Sequence, residues 1–415
     1  MTSPLSLVLT SPGRELLESL ETLPHRDPVR LDAAMRHQGV APEVVAAVLT
    51  QLDLRDRAVA KFGPFAHSMV FTRDGLEQAT RLAVAARHAQ RFRAAGATRV
   101  ADLGCGIGGD ALALAGLGLG VTAMDIDEDA AAAAAHNLHA FPDTAVLIGD
   151  VATLEMEDLR AAGVDAVFAD PARRTGASGG SARRLAPEQW SPPLSTVLSW
   201  RSVFDLVGVK MAPGVPHSAL PPDCQAQWTS VDTDLVEAAL WTPGLAPEGS
   251  GRSALVLRGG EPHVLQDPGT PRADSPVRPG DVGPLGPMLA EPDPAVIRSG
   301  LVARLAEAIG AQLVSPSIAW LSGEDLPATP FAARFEVLEV TALRPKAIQA
   351  ALQRWDVGRI EVKKRGVDLR PEDLRRSLRL GGTEEATVIA TRVEGRHRAI
   401  LARRCQNVGN APDPG

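Results

Sequence analysis

The chain has 415 residues, of which 45% are hydrophobic and 22% charged, and its formal net charge at pH 7 is −7. This length and composition support at least one large core and two or three domains. The three cysteines, Cys105, Cys224 and Cys405, lie far apart without metal-ligand spacing, which argues against a disulfide framework and a zinc site. Because no apolar stretch has the length of a membrane span and residues 1–5 lack the form of a signal peptide, we expect a cytoplasmic protein with no membrane partner and no metal.

Residues 1–95 are predicted to form an N-terminal helical region. Ser11 can cap a helix that continues through residues 16–20, and Pro42 is typical of the first position of another helix. A third helix is predicted from Asp74 to Ala95. It leads directly into the first strand of the next domain.

A glycine-rich run follows that first strand. Residues 100–110 read VADLGCGIGGD and precede a helix rich in Ala and Leu. Closely spaced glycines let the backbone turn tightly and approach a ligand, and the helix N-terminus offers free N–H groups. The run therefore predicts a nucleotide-cofactor loop formed by Asp102, Gly104, Cys105, Gly106, Gly108 and Asp110. We interpret Cys105 as a small residue of this loop and not as a nucleophile.

Two classes of cofactor fit the spacing around this loop. Gly104, Gly106 and Gly109 satisfy GxGxxG, and Asp125 lies 21 residues after Gly104 at the end of the second predicted strand, within reach of ribose hydroxyls. A dinucleotide enzyme would fit these positions equally well. Asp102, however, would repel a pyrophosphate and attract the sulfonium and ammonium groups of S-adenosylmethionine. The residues therefore favour S-adenosylmethionine.

Three further apolar runs predict buried parallel strands within a domain that covers residues 96–260. They end at Asp150, at Asp170 with Pro171, and at Lys210. Since ligands bind beyond the carboxyl ends of such strands, we expect these side chains to line one crevice, although each acid could instead be a helix N-cap. A hairpin of residues 234–241 and 253–258 is predicted to complete the domain.

A basic, glycine-rich segment follows Asp170. Arg173, Arg174, Arg183 and Arg184 flank the glycine-rich residues 176–180. The segment fits a mobile lid that grips an anionic substrate, and it equally fits a disordered basic loop. Asp170 is the residue we expect to orient the methyl acceptor. Lys210 is expected to face the same crevice or to form an ion pair with Asp170.

Composition predicts an irregular linker rich in Pro and Gly at residues 261–293 and a disordered tail at 406–415. Between them, residues 294–405 are predicted to form a basic α+β domain. Its expected elements are strands at 335–340 and 359–363, helices at 346–355 and 371–378, and a hairpin of 385–393 with 397–402.

The last domain carries most of the positive charge of the chain. Residues 331–405 contain 17 Lys and Arg against 10 Asp and Glu, although the whole chain is acidic. Lys363, Lys364 and Arg365 stand together at a strand end and could neutralise phosphates of a nucleic acid. Ordinary solvated surface charge is the alternative interpretation.

Several of these segments together resemble a known family. They are LEQATR at 76–81, the glycine run, ADPAR at 169–173, VKMAPG at 209–214, VKKRG at 362–366 and EEAT at 384–387. The chain resembles, over nearly its whole length, the bacterial class I S-adenosylmethionine-dependent methyltransferases that carry a C-terminal THUMP-like domain. The resemblance implies an α/β fold with a Rossmann-like class I sheet, an N-terminal helical region, a C-terminal α+β THUMP-like domain, S-adenosylmethionine as cofactor and RNA as partner.

The resemblance also implies roles for single residues. Asp102 would lie near the methionine moiety, Asp125 with Ile126 at the ribose, and Asp150 with Val151 at the adenine. Residues 70–72 resemble the beginning of the trimethylguanosine synthase domain, where this segment lies over the cofactor, which adds Thr72 to the predicted cofactor site. Asp170 and Pro171 would hold the group to be methylated.

One departure from the pattern leaves the target atom open. Enzymes that methylate amines commonly present Asp or Asn, two prolines and an aromatic ring, whereas this chain has Asp170-Pro171-Ala172-Arg173. Arg173 could stack on a base or clamp a phosphate. A methyltransferase acting on RNA explains both the loop and the basic domain. A small-molecule methyltransferase and a catalytically silent RNA-binding protein are the alternatives, and the sequence leaves the oligomeric state open.

Overall fold

The computed structural model describes residues 3–23, 27–173, 186–268 and 281–405. The chain folds into two compact units, the first comprising Met1–Ala219, Asp223–Gln225 and Ala239–Gly249, and the second comprising Leu220–Pro222, Ala226–Ala238 and Ser250–Gly415. Arg174, Arg183 and Arg184 of the predicted lid, part of the predicted linker and the predicted tail lie outside the described residues. In the described part of the chain, no helix is long and apolar enough to cross a membrane and no cluster of three potential metal ligands occurs.

The first unit begins with a helical region, as predicted. Its helices are α1 Pro4–Val8, α2 Ser11–Glu21, α3 Pro28–His37, α4 Pro42–Phe62, α5 Arg73–Gln78, α6 Leu82–Ala94, α7 Gly109–Gly116, α8 Glu128–Asn137, α9 Met156–Ala161 and α10 Leu194–Ser199. Each of the first four has a proline in its first turn, where the missing N–H costs nothing. The cap of α2 is Thr10 and not Ser11, since the Thr10 hydroxyl accepts a hydrogen bond from Gly13 N.

The helix predicted over residues 74–95 is two helices, α5 and α6. The break covers residues 79–81, which contain no Gly or Pro to signal it. Thr80 in this break is buried and donates its hydroxyl to Asp110 Oδ2 at 2.7 Å. This tertiary hydrogen bond is a contact that no local pattern reveals.

A parallel sheet forms the centre of the first unit. The strands of this unit are β1 Arg99–Leu103, β2 Gly120–Asp125, β3 Thr144–Ile148, β4 Ala166–Ala169, β5 Ala172–Arg173, β6 Trp190–Ser191 and β7 Leu206–Met211. The parallel strands lie in the order β7-β4-β1-β2-β3. Val100, Val121 and Phe168 are fully buried in this sheet, which explains the continuous apolar runs of β1, β2 and β4. The prediction that the run ending at Asp150 is a buried strand is wrong: β3 lies at the edge of the sheet, and Ile148 is 63% exposed. The Rossmann-like α/β fold is thereby confirmed.

The second unit contains two groups of strands. These strands are β8 Gln225–Val231, β9 Asp234–Trp241, β10 Gly251–Arg258, β11 Glu261–Pro268, β12 Met288–Pro292, β13 Gln312–Ser315, β14 Ile318–Gly323, β15 Ala332–Ala342, β16 Val357–Lys364, β17 Glu384–Val393 and β18 Arg396–Arg404, and the helices are α11 Pro294–Arg298, α12 Val302–Ile309, α13 Pro345–Arg354 and α14 Pro371–Arg376. One group has the order β11-β10-β8-β9, and the other has the order β13-β14-β12-β15-β18-β17-β16. The last residues of β9 belong to the first unit. The predicted β17–β18 hairpin is present, with Val393 opposite Arg396.

Two sequence predictions are wrong in this unit. The hairpin of 234–241 with 253–258 does not form, because β8 lies between β9 and β10. The predicted irregular linker 261–293 contains β11 and β12. β11 is an edge strand, where prolines such as Pro262 are tolerated because a ladder hydrogen bond is not required on the outer side. The predicted domain boundaries at residues 95, 260 and 293 stay predictions.

Candidate functional site

The glycine loop after β1 is folded against the neighbouring strand ends. The backbone N–H groups of Gly104 and Cys105 both donate to the Met124 carbonyl, at 2.9 and 3.0 Å. Gly104 has a φ of +85°, and a Cβ there would lie 2.5 Å from the Asp170 carbonyl oxygen. Gly108, with a φ of +82°, occupies the N-cap position of α7. The loop therefore links the end of β2 to the residue that follows β4.

Asp125 lies at the end of β2 beside this loop. Its Oδ2 accepts a hydrogen bond from the Gly106 N–H at 2.8 Å, and its Oδ1 accepts one from Asp127 N at 2.9 Å. Each carboxylate oxygen keeps lone-pair capacity for a hydroxyl donor. The next residue, Ile126, is 67% exposed although it is aliphatic. This arrangement suits the predicted contact with a ribose, beside an apolar surface.

Asp102 is buried in β1, only 1% exposed, and its Oδ2 has no hydrogen-bond partner among the described residues. Burial, together with the charges of Asp110 and Asp170, raises the pKa of Asp102 well above its usual value. A buried carboxylate oxygen without a donor is unfavourable, and a cationic ligand would compensate it. The expected cofactor, S-adenosylmethionine, carries such cationic groups, so this orphan oxygen fits it.

Asp110 differs from its predicted role. Its Oδ1 lies 2.8 Å from His88 Nδ1, and its Oδ2 accepts the Thr80 hydroxyl. Burial opposes ionisation, but the hydrogen bonds and the charge of His88 outweigh it and hold the pKa of Asp110 below its usual value. Both oxygens are thus engaged inside the first unit, joining the start of α7 to α6. This geometry does not support direct cofactor contact by Asp110.

Asp150 and Thr72 have capping contacts. Asp150 Oδ1 accepts from Ala152 N at 2.9 Å, which is the N-cap alternative for this acid, and Val151 follows it in the same short turn. Thr72 Oγ1 accepts from Gly75 N at 3.0 Å and caps α5. Their contact with the cofactor stays a prediction.

Asp170 and Lys210 meet at the carboxyl ends of β4 and β7. Lys210 Nζ lies 2.8 Å from Asp170 Oδ2 and 3.4 Å from the Gln78 carbonyl oxygen. Pro171 is buried beside them, and Arg173 lies in β5, opposite Trp190 of β6. The structure therefore brings the predicted acceptor-binding acid and the predicted lysine together, next to the glycine loop.

Lys61 is a residue of this region that the sequence analysis missed. Its Nζ donates to the carbonyls of Leu76, Glu77 and Ala79, each at 2.8 Å, and so closes the C-terminal end of α5. Burial, followed by the charge of Lys210, lowers the pKa of Lys61 to about 8. Nothing in the helical pattern of α4 marks this lysine, because its partners are backbone atoms of another segment.

Cys105 is buried in the glycine loop. Burial and the charges of Asp102 and Asp125 raise the pKa of its thiol. A thiol in this environment stays protonated and is a poor nucleophile. The geometry is consistent with its predicted role as a small loop residue.

The predicted phosphate-binding cluster lies in the second unit. Lys363 Nζ is 2.9 Å from Glu291 and 3.2 Å from Glu361, and Arg365 is 3.5 Å from Glu291 with its guanidinium over the Trp320 ring. Lys364 is exposed. Two of the three predicted cations are therefore already paired with a carboxylate, and their contact with a nucleic acid stays a prediction.

Comparisons with known proteins identify the family of the chain. A family profile described as THUMP domain-like matches residues 332–404, and one described as a domain of unknown function (DUF8688) matches residues 4–58. Two curated proteins of Mycobacterium tuberculosis, strains CDC 1551 and H37Rv, are each 35% identical over 363 residues, which cover 85% of this chain and 93% of theirs. Both are described as uncharacterized S-adenosylmethionine-dependent methyltransferases.

A solved structure extends the comparison to the whole fold. It comes from Porphyromonas gingivalis W83 and is described as a candidate methyltransferase. It is similar to this chain over 97% of this chain and 98% of its own length, with a TM-score of 0.75 and 18% identity. At that identity the similarity concerns the fold alone.

Proposed function

Since the chain belongs to the S-adenosylmethionine-dependent methyltransferases and uses S-adenosylmethionine as its cofactor, we propose that it methylates RNA. The observation that carries the RNA substrate is the THUMP-like domain at residues 332–404, within a region where 17 Lys and Arg stand against 10 Asp and Glu. A basic surface attracts polyanions, and phosphate contacts provide affinity without regard to sequence. Asp170 is proposed to orient the acceptor.

Different residues of the first unit bind different parts of the cofactor. When bound, S-adenosylmethionine supplies an activated methyl group on its sulfonium. Asp125 and the glycine loop hold the ribose side, and Asp102 compensates the positive charge of the ligand. These contacts hold the cofactor at the carboxyl ends of the parallel strands, where Asp170 follows β4.

Asp170 is held for acceptor binding by its neighbours. Its backbone lies against Gly104, and its carboxylate is paired with Lys210 at 2.8 Å. Its oxygens can therefore accept a hydrogen bond from the acceptor group and stabilise the positive charge that develops on it. Methyl transfer is an in-line displacement, so positioning of the two reactants is the main contribution of the protein.

The experiment separates RNA from small-molecule acceptors. Full-length protein is incubated with S-adenosylmethionine labelled in its methyl group and a complete cell extract, and the label is measured in the RNA, protein and low-mass fractions. We expect label in RNA that nuclease treatment releases, and no such label with Asp170→Ala. Label in a low-mass product other than S-adenosylmethionine, with none in RNA, would replace RNA by a small-molecule substrate. Label that stays entirely in S-adenosylmethionine would favour a silent RNA-binding protein.

A further inference from the structure

At one end of the sheet in the THUMP-like domain, residues from four strands that are distant in sequence lie next to one another. β15 and β17 both run antiparallel to β18, and β16 runs parallel to β17. The carboxyl ends of β15, β16 and β17 therefore lie at the same end of the sheet as the start of β18. The register fixes the neighbours, because Arg398 stands opposite Thr391 on one side and Ala342 on the other.

This end of the sheet carries an excess of exposed positive charge. Residues 340–346, 362–366 and 391–398 contain eight Lys and Arg but a single carboxylate, Glu394. Lys363 and Arg365 pair with Glu291, as described above. The other six have no carboxylate partner among the described residues and are exposed, apart from the half-buried Arg398. We call these six the basic sheet end: Arg344, Lys346, Lys364, Arg392, Arg396 and Arg398.

The opposite end of the same strands has no excess of positive charge. Residues 332–336, 356–359, 383–386 and 402–405 contain four Lys and Arg and four Asp and Glu. Arg359 forms an ion pair with Glu385, and Arg403 forms one with Glu336 at 3.0 Å. Positive and negative side chains are thus equal in number at this end of the sheet, whereas six cations lack a carboxylate partner among the described residues at the other end.

We infer that the basic sheet end is the surface of this protein that binds the phosphate backbone of single-stranded RNA. Neighbouring strands lie about 4.8 Å apart, so cations on adjacent strand ends are close enough to repel one another, and a row of phosphates relieves this repulsion. The inference rests on the proposed function and deepens it. It also moves the predicted contact from the Lys363–Arg365 cluster to the β17–β18 turn, since only Lys364 of that cluster is unpaired among the described residues.

The test compares two triple variants of the full chain with equal net charge. The first replaces Arg392, Arg396 and Arg398 by Gln at the basic sheet end. The matched control replaces Arg359, Arg376 and Arg403 by Gln, three exposed arginines that each pair with a carboxylate elsewhere on the domain. Glutamine keeps most of the aliphatic side chain. Circular dichroism and the melting temperature verify that both variants fold like the parent.

Binding of a short fluorescent single-stranded RNA is measured by anisotropy over a series of salt concentrations. Each phosphate contact on a single strand contributes about 0.7 to the logarithmic salt slope, so the first variant should lose about 2 units of slope. Its affinity should fall at least tenfold at about 0.1 M salt. The control variant should keep most of the salt slope and most of the affinity for RNA. Binding of S-adenosylmethionine should not change in either variant.

The outcomes separate the inference from the proposed function. If the parent binds and methylates RNA but the first variant matches the parent or the control in slope and affinity, the inference is wrong and the proposed function stands. If the parent neither binds nor methylates RNA, both are wrong. Binding of vesicles rich in anionic lipid by the parent, in preference to RNA, would assign the basic sheet end to a membrane surface and overturn the inference.

Discussion

Replacement of Gly104 by alanine tests whether the glycine loop positions Asp170. Gly104 combines a φ of +85° with a close approach, since a Cβ would lie 2.5 Å from the Asp170 carbonyl oxygen. Gly96 is a matched control. Its φ is +81°, and nothing lies within 4 Å of a Cβ built there. The two variants therefore share the cost of a left-handed backbone, and only Gly104→Ala has the steric conflict.

The expected magnitudes differ accordingly. A left-handed conformation costs a residue with a Cβ about 1–2 kcal/mol, which is the whole effect expected for Gly96→Ala. The clash at Gly104 adds about 1–3 kcal/mol, as overpacking does. We expect Gly104→Ala to lower the free energy of unfolding by about 2–5 kcal/mol in total. Since the Asp170 backbone must move, methyl transfer should fall about 100-fold, the usual cost of a misplaced reactive group.

Two measurements examine this prediction. Denaturant titration gives the unfolding free energies, and methyl transfer is measured well below the melting temperature and normalised to the folded fraction. Gly96→Ala should retain the activity of the parent. Equal stability losses in the two variants, together with full activity of Gly104→Ala, would refute the claim that this glycine positions Asp170.

Three further changes have defined outcomes. Asp125→Ala should weaken binding of S-adenosylmethionine by about 1–3 kcal/mol in a calorimetric titration, because two hydrogen bonds to ribose are lost, and an unchanged Kd would move the ribose contact elsewhere. Asp170→Ala should abolish methyl transfer and leave the Kd for S-adenosylmethionine unchanged; near-parental turnover of the folded variant would remove Asp170 from the mechanism. Asp110→Asn should lower stability by about 1.5–3 kcal/mol near pH 7, since His88 loses a charged partner. Because folding lowers the pKa of Asp110, its charged form stabilises the protein above the ordinary carboxyl range, and this stabilisation is lost as pH falls through the folded-state pKa. The free energies of unfolding of parent and variant should therefore converge in acid. A constant difference between them in denaturation curves at several pH values would contradict this.

The parts of the fold with local signals were predictable from the sequence. Continuous apolar runs identified the parallel strands, because both faces of the central strands are covered. The burial of β3 was predicted wrongly, because its position at the edge of the sheet depends on the strand order and not on its own apolar run. The glycine loop was predictable because its positive φ angles favour glycine. The β17–β18 hairpin was marked by its short turn at Glu394-Gly395.

Other features depend on contacts between distant segments. β8 was missed because its buried side chains include Gln225, Gln227 and Ser230, so burial does not follow hydrophobicity there. Its absence from the prediction produced the wrong hairpin of β9 with β10. The ion pairs of Lys363 and Arg365 could not be anticipated, because their partner Glu291 lies in a segment that composition assigned to a linker.

The most direct test of methyl transfer to RNA uses RNA from a strain that lacks this protein. The RNA is incubated with the full chain and S-adenosylmethionine carrying a heavy methyl group, digested to nucleosides and analysed by mass spectrometry. We predict that a nucleoside with the heavy methyl group appears with the parent and is absent with Asp170→Ala, although that variant still binds the cofactor. Nucleosides without heavy methyl groups, from a folded parent that binds S-adenosylmethionine, would contradict RNA as the substrate.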